Sequence, residues 1–479
     1  MTSATTRTAR TARPAFRCAE CGWTTVKWVG RCGECQAWGT VEEAAGTAPA
    51  RVTAALAPSA PARPIDEVAV DAARARSTGV GELDRVLGGG IVPGAVVLLA
   101  GEPGVGKSTL LLDVAARAAA VSADVAAGGT GRPVLYVTGE ESAGQVRLRA
   151  ERIGALTPHL LLAAETDLAT LLGHVDDADP SLLVVDSVQT IADGTVDGAA
   201  GGTSQVRAVA SALIHVAKTR DIPVLLVGHV TKDGSIAGPR VLEHLVDVVC
   251  QFEGDRHSRL RMVRAVKNRY GPTDEVGCFD LGDTGITGLA DPSGLFLSGH
   301  RSAVPGTCVT VSLEGRRPMP TEIQALVARS PLSSPRRTTS GLDGSRVAMT
   351  LAVLQSRLGV TLSTADVYVS TVGGARAVEP AVDLAVALAV LSAVEGKELD
   401  PGIVAVGEVG LTGEVRTTVG VQRRLAEAAR LGFTRAIVPA RGAGDLRAVP
   451  GLSVHPVDSL QEAAGAAWRA TAVVREPQH

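Results

Sequence analysis

Aromatic residues are scarce in this 479-residue chain: five Phe, four Trp and three Tyr make up 3% of it. Its cores must therefore come from Val, Leu, Ile and Ala, which are plentiful, since 45% of the residues are hydrophobic. Charge of one sign is lacking too. The 47 basic residues face 50 acidic ones, for a formal net charge of −3. That balance excludes a wholesale basic coat for nucleic acid, though not a local basic surface. No apolar run reaches the roughly 18 residues of a membrane span, and no hydrophobic signal segment is seen, so a cytoplasmic protein with no membrane partner is expected. Seven cysteines in a chain of this length exclude a disulfide scaffold. Lysine is rare: Lys27, Lys107, Lys218, Lys232, Lys267 and Lys397 stand against 41 arginines. Under such a bias lysine survives where a compact, point-like ammonium is needed.

What is present is concentrated. Cys18, Cys21, Cys32 and Cys35 form C-x2-C, ten residues, C-x2-C. Each pair makes a tight turn that presents two thiolates to one tetrahedral ion, so a structural Zn²⁺ is expected. Trp23, Trp28 and Trp38 sit in or beside this box. They either pack the knuckle or form a stacking surface for a partner or for bases. Cys250, Cys278 and Cys308 lie in apolar stretches and read as core residues. The acid-free, Thr-rich start (1–15) reads as a disordered tail, and the Ala/Pro-rich stretch 45–66 as a flexible linker.

From about residue 70 the pattern alternates strand and helix. The apolar run 96–100 reads as a buried strand, followed by Gly101-Glu102-Pro103-Gly104-Val105-Gly106-Lys107-Ser108-Thr109 and then a helix. This is a complete G-x-x-x-x-G-K-[ST] phosphate loop in its required context. Its backbone N–H groups and the helix N-terminus suit phosphates, Lys107 would reach the β/γ-phosphates of ATP, and Ser108 would hold Mg²⁺. A strand at 134–138 precedes Glu140 and Glu141, and a strand at 182–185 ends in Asp186. These are the places for a water-polarising acid and a Mg²⁺ carboxylate; Glu141 is the alternative to Glu140. A helix near 204–220 and a strand at 223–227 lead to Gly228-His229-Val230-Thr231-Lys232-Asp233-Gly234, where a γ-phosphate sensor or a ligand-responsive loop fits. A strand at 259–266 ends in Lys267-Asn268-Arg269-Tyr270-Gly271, two cations one residue apart that share a side if the extended geometry continues.

Taken in order, the four-cysteine ribbon, GEPGVGKST, YVTGEES, LLVVDS, GHVTKDG and KNRYG resemble the bacterial RadA (Sms) family of DNA repair proteins over roughly residues 16–470. The family's box is usually KNRFG, so Tyr270 departs from it. The resemblance implies an α/β fold in three parts: a zinc ribbon (16–44), a RecA-like ATPase domain (67–290) and, after a connector (291–340), a Lon-protease-like α/β domain (341–479). By that likeness Glu140 is the catalytic glutamate, Asp186 the Walker B acid, and Lys267 and Arg269 the cations that reach a neighbouring subunit's nucleotide. It further implies a ring-shaped homo-hexamer that hydrolyses ATP, moves on single-stranded and branched DNA, and works with a recombinase filament.

Lon-type proteases use a Ser–Lys dyad. Matching EPAVD and TVGVQRR to the two catalytic turns puts Ala381 and Gln422 at the dyad positions. A methyl cannot attack a carbonyl and an amide cannot accept the proton, so the domain reads as an inactive protease fold. Arg346, Arg357, Arg376, Arg416, Arg423 and Arg424 are candidates for a phosphate-facing surface. The competing readings are an active ATP-dependent protease, which the lost dyad opposes, and a circadian-clock-type nucleotide switch, which the ribbon and KNRYG oppose.

Overall fold

A computed structural model of the chain describes residues 16–43, 64–67, 74–125, 128–229, 241–254, 259–297 and 304–468. The tail 1–15, most of the linker 45–66 and the stretch 230–234 of the polar cluster lie outside the described residues. The chain divides into two compact units, Met1–Ala69 and Val70–His479.

The first unit is a ribbon. β1 (Phe16–Cys18) pairs antiparallel with β2 (Thr24–Thr25) and with β3 (Val41–Glu43). Among its described residues the buried apolar set is Cys18, Cys32 and Val41, with Phe16, Trp23 and Val29 packed on it. That is too little core to fold without a metal. Trp23 lies across Gly33, where a Cβ would come 2.7 Å from the ring.

The second unit opens with α1 (Gly81–Leu87), β4 (Val96–Gly101), α2 (Lys107–Ala123), β5 (Val134–Thr138) and α3 (Ala143–Arg152). It continues through β6 (Leu160–Ala164), α4 (Leu168–Ala178), β7 (Leu182–Asp186), α5 (Thr203–Arg220), β8 (Val224–His229) and α6 (Val241–Leu245). β9 (Val248–Glu253), β10 (Leu260–Asn268), β11 (Val276–Gly282) and β12 (Gly285–Gly288) complete this half. Its described strands form one sheet in the order β12-β11-β10-β9-β4-β8-β7-β5-β6. From β9 to β6 the pairs are parallel, and β10 to β12 add an antiparallel edge. The central strand β4 is apolar on both faces, as a parallel strand covered by helices must be. Val97 and Leu99 join the core under α2, while Val96, Leu98 and Ala100 join the core under α5. The segment Thr78–Asp84 is tied into the fold. Asp84 accepts from Ser77 Oγ and the Thr78 N–H, and buried Glu82 accepts from the Cys278 N–H at 2.8 Å.

The second half runs α7 (Ser293–Phe296), β13 (Thr307–Glu314), β14 (Arg317–Arg329), β15 (Arg337–Ser340), α8 (Gly344–Leu358), β16 (Ala365–Thr371) and α9 (Asp383–Glu395). Then come β17 (Ile403–Ala405), the small hairpin β18 (Glu408–Val409) and β19 (Val415–Arg416), α10 (Val421–Arg430), β20 (Arg435–Pro439), β21 (Ser453–Val457) and α11 (Leu460–Ala467). Its main sheet has the order β15-β16-β14-β13-β17-β20-β21. α9 has ten buried residues and is apolar on all sides, the signature of a helix enclosed in a core. α8, α9 and α11 share one core with the sheet, and α10 packs into a second.

One expectation is corrected here. Residues 291–340 are not a connector: β13, β14 and β15 belong to this sheet. β14 is hard to read from sequence because it carries Pro318 and Pro320. Both prolines fall where β14 pairs only with β13, since β16 pairs with it from Ile323 onward, so neither missing N–H breaks an inner ladder.

Candidate functional site

The phosphate loop leaves the C-terminal end of β4 and enters α2. Gly101 lies against β9 so closely that a Cβ would sit 2.5 Å from the Phe252 carbonyl oxygen. Gly104 and Gly106 have φ of +81° and +110°, a left-handed backbone natural to glycine. The loop therefore turns its amides toward the start of α2, which begins at Lys107. The Lys107 side chain is buried, and its ammonium donates to the Gly101 and Glu102 carbonyls at 2.8 Å each. Burial lowers its pKa to about 8, against the attraction of Asp186, Glu140 and Glu102. Amides, a helix start and a desolvated cation together make an anion cradle.

Three neighbouring strand ends surround it. Thr138 pairs in register with Asp186, and Gly101 with His229. Asp186 is buried. Its Oδ2 accepts from Tyr136 Oη at 2.7 Å, and its Oδ1 has no hydrogen-bond partner among the described residues. Burial pushes this carboxyl up, opposed by hydrogen bonds from Tyr136 and Ser108. A buried carboxylate oxygen without a partner, beside the Ser108 hydroxyl, fits a divalent cation. The peptide between Asp186 and Ser187 is cis.

The two glutamates after β5 diverge. Glu140 Oε1 accepts from Ser187 Oγ at 2.5 Å and meets His229 Nε2 at 2.7 Å. These bonds, His229's first, with Lys107 nearby, hold its pKa down at about 2, so it is a carboxylate at neutral pH. Glu141 instead pairs with Arg149 of α3. Only Glu140 shares the cleft of Lys107 and Asp186.

The Lys267–Gly271 box is built into the same half. The strand register shifts between Ala265 and Lys267, and β10 ends at Asn268. Both cations nevertheless turn to the junction of α6 and β9. Lys267 Nζ donates to the Glu243 and Val246 carbonyls at 2.8 and 2.7 Å and, more distantly, to His244. Arg269 pairs with Asp247 at 3.2 Å. Asp247 also accepts from Lys218 Nζ at 2.7 Å and from the Val96 N–H at 3.0 Å. Asn268 donates to the Val86 and Leu87 carbonyls, Lys218 reaches Tyr270 Oη at 3.3 Å, and Gly271 packs on Gly88, where a Cβ would lie 3.1 Å away.

In the ribbon the Sγ atoms of Cys18, Cys21, Cys32 and Cys35 all lie within 4.8 Å of one another. Cys18–Cys35 are 3.8 Å apart and Cys21–Cys32 3.5 Å. Zn–S bonds of about 2.3 Å in a tetrahedron place sulfurs about 3.8 Å apart, so the set fits zinc. Trp23 packs this knuckle, whereas Trp28 and Trp38 are 64% and 74% exposed, with the Arg31 guanidinium 5.7 Å over Trp38.

In the second half Ala381 is buried, and Gln422 bonds the backbone of Arg447 through both its amide groups. Arg424 is not part of a phosphate-facing surface. It is 1% exposed and grips both oxygens of Glu379 at 2.6 and 2.7 Å. Arg346 is held by Asp383 and Arg416 by Glu414, while Arg357, Arg376 and Arg423 are exposed. Cys250, Cys278 and Cys308 are buried, as expected. Sequence reasoning missed Asp247, which no motif marks, and Tyr136 was visible only as part of YVTGEES. Ser187 was visible only as part of LLVVDS, and His229 only as part of GHVTKDG.

Comparison with known proteins covers the same three regions. A rubredoxin metal binding domain matches residues 16–43, an AAA domain matches 61–235, and subunit ChlI of Mg-chelatase matches 350–442. Among full-length relatives, DNA repair protein RadA of Mycolicibacterium smegmatis is 53% identical over 460 residues, covering 94% of this chain and 96% of that protein. DNA repair protein RadA of Mycobacterium tuberculosis is 54% identical over 434 residues, 89% of this chain and 88% of its own length. That of Bacillus subtilis is 42% identical over 453 residues, covering 94% and 97%.

Proposed function

The chain belongs to the DNA repair protein RadA family, and on that premise we propose that it is a DNA-dependent ATPase that translocates on single-stranded DNA and promotes branch migration of recombination intermediates. The observation that carries this reading is the convergence of Lys107, Asp186 and Glu140 around the phosphate loop. In it Lys107 and the loop amides at 101–109 bind the ATP phosphates. Ser108 and Asp186 would hold Mg²⁺, which would neutralise phosphate charge when bound. Glu140, ionised at neutral pH, orients the attacking water and accepts its proton.

On this reading the box Lys267–Gly271 acts across a subunit boundary in a homo-hexamer, with Arg269 as the cation that meets the neighbour's nucleotide. The Lon-like half serves assembly and DNA contact, because neither Ala381 nor Gln422 can do acyl-transfer chemistry. The partners on this reading are single-stranded and branched DNA and a recombinase filament, in the cytoplasm. The test is ATP hydrolysis with and without single-stranded DNA, alongside strand exchange on a three-stranded branched substrate. Stimulation by DNA with ATP-dependent movement of the branch is expected. ATP turnover indifferent to DNA, with a static branch, would overturn the reading.

A further inference from the structure

Both hydrogen bonds that fix the Glu140 carboxylate end on one atom. Ser187 Oγ and His229 Nε2 reach Oε1 at 2.5 and 2.7 Å. They come from two different strand ends, β7 and β8, which flank the site between β5 and the phosphate loop. Two donors on one oxygen fix the torsion of a side chain that otherwise rotates freely about its terminal bond. They also satisfy that oxygen's two lone-pair directions and leave Oε2 as the one still able to accept a proton.

The tautomer of His229 follows from the same contacts. A carboxylate only accepts, so Nε2 carries the hydrogen. Nδ1 is buried with no hydrogen-bond partner among the described residues. His229 therefore serves Glu140 as an Nε2–H donor.

We infer that Ser187 and His229 are positioning residues that act on hydrolysis through Glu140, holding Oε1 so that Oε2 faces the attacking water. Neither has to touch the nucleotide to do this. The inference rests on the reading of Glu140 as the water-orienting base. It goes beyond that reading by naming what makes the glutamate effective and why the nearby Glu141, tied to Arg149, does not replace it.

The experiment is a double-mutant cycle in the full chain, with kcat, KM and nucleotide affinity measured for each member. His229→Ala is expected to lower kcat about tenfold or more, the scale of one hydrogen bond to a charged group. KM and the affinity for a fluorescent ADP analogue should stay within about twofold. His229→Gln keeps an N–H donor of similar reach and is expected to recover most of kcat, which a merely structural histidine would not predict. Ser187→Ala is expected to behave like His229→Ala. In a Glu140→Gln background, adding His229→Ala is expected to cost nothing further, because the group it positions has lost its charge.

If Glu140→Gln hydrolyses ATP like the wild type, the base assignment itself falls. If Glu140→Gln is inactive while His229→Ala keeps full kcat, the base stands and the positioning inference fails. A His229→Ala effect that appears in nucleotide affinity, or that remains undiminished on top of Glu140→Gln, would make His229 a direct phosphate contact and overturn the inference as well.

Discussion

Lys107 and Arg424 are both buried cations, and their partners separate their roles. Lys107 is held by two carbonyl oxygens of its own loop, neutral groups, so no carboxylate is bonded to it directly. Lys107→Ala is expected to lower ATP turnover by about 10²-fold or more. Because burial already disfavours the ammonium, removing it should not lower the melting temperature; a matching loss of melting temperature would make Lys107 a structural residue. Arg424 is the opposite case. Its guanidinium meets both oxygens of Glu379 and the Val311 carbonyl, so Arg424→Ala strands a carboxylate in a half-buried place. About 2 kcal/mol of stability should be lost, read from denaturant midpoints, with ATP turnover unaffected. Sequence alone does not separate these two residues. The phosphate loop was legible because its members are contiguous. The burial of Arg424 depends on Glu379, 45 positions away, and no local pattern marks it. The same holds for Glu140 and His229, which are 89 positions apart.

At the scale of elements, the apolar runs that became β4, β5, β7 and β8 were readable because a parallel strand covered on both faces is almost continuously hydrophobic. β14 was not readable, because seven of its 13 residues are Pro, Arg, Thr, Glu or Gln. Its place between β16 and β13 is set by tertiary pairing. The ribbon was legible for another reason: its fold is specified by four cysteine positions and hardly at all by a core. Removal of the metal should therefore unfold it selectively. Cys32→Ser is expected to lose one zinc per chain by elemental analysis. The ribbon should then become protease-sensitive, while the main melting transition of the second unit stays in place. A shift of that transition by several degrees would show that the ribbon supports the ATPase half. Trp28 and Trp38 add nothing to this core, since both rings face solvent.

At the scale of the whole second unit, the two sheets are tied by a buried ion pair. Arg317, at the start of β14, bonds Glu82 of α1 and the Val276, Leu289 and Ala290 carbonyls; both side chains are 6% exposed. Arg317→Ala is expected to cost about 3 kcal/mol, because Glu82 would stay buried with only the more distant Arg85, at 3.6 Å, against its charge. A denaturation curve that splits into two transitions would also follow, since this contact joins the ATPase half to the Lon-like half.

In the proposed ring the Lys267–Gly271 box would act between subunits, and its two cations are unequally free. Lys267 is committed to carbonyls at the end of α6, so Lys267→Ala should lower stability as well as activity. Arg269 is 56% exposed and has one long contact to Asp247, so it can swing to a neighbour without dismantling the fold. Arg269→Ala is expected to keep nucleotide binding and lose about 10³-fold in turnover, the scale of a cation supplied to the transferring phosphoryl group. Subunits carrying Arg269→Ala are expected to be nearly inactive alone, and so are subunits carrying Glu140→Gln. Mixing them in a ring creates some boundaries where an intact Glu140 meets an intact Arg269 from the next chain. Partial recovery of hydrolysis on mixing, rising and falling with the ratio of the two variants, is the expected result. No recovery at any ratio would mean that Arg269 serves its own subunit. Normal basal hydrolysis by Arg269→Ala, with only the DNA-stimulated part lost, would instead place Arg269 against the DNA backbone.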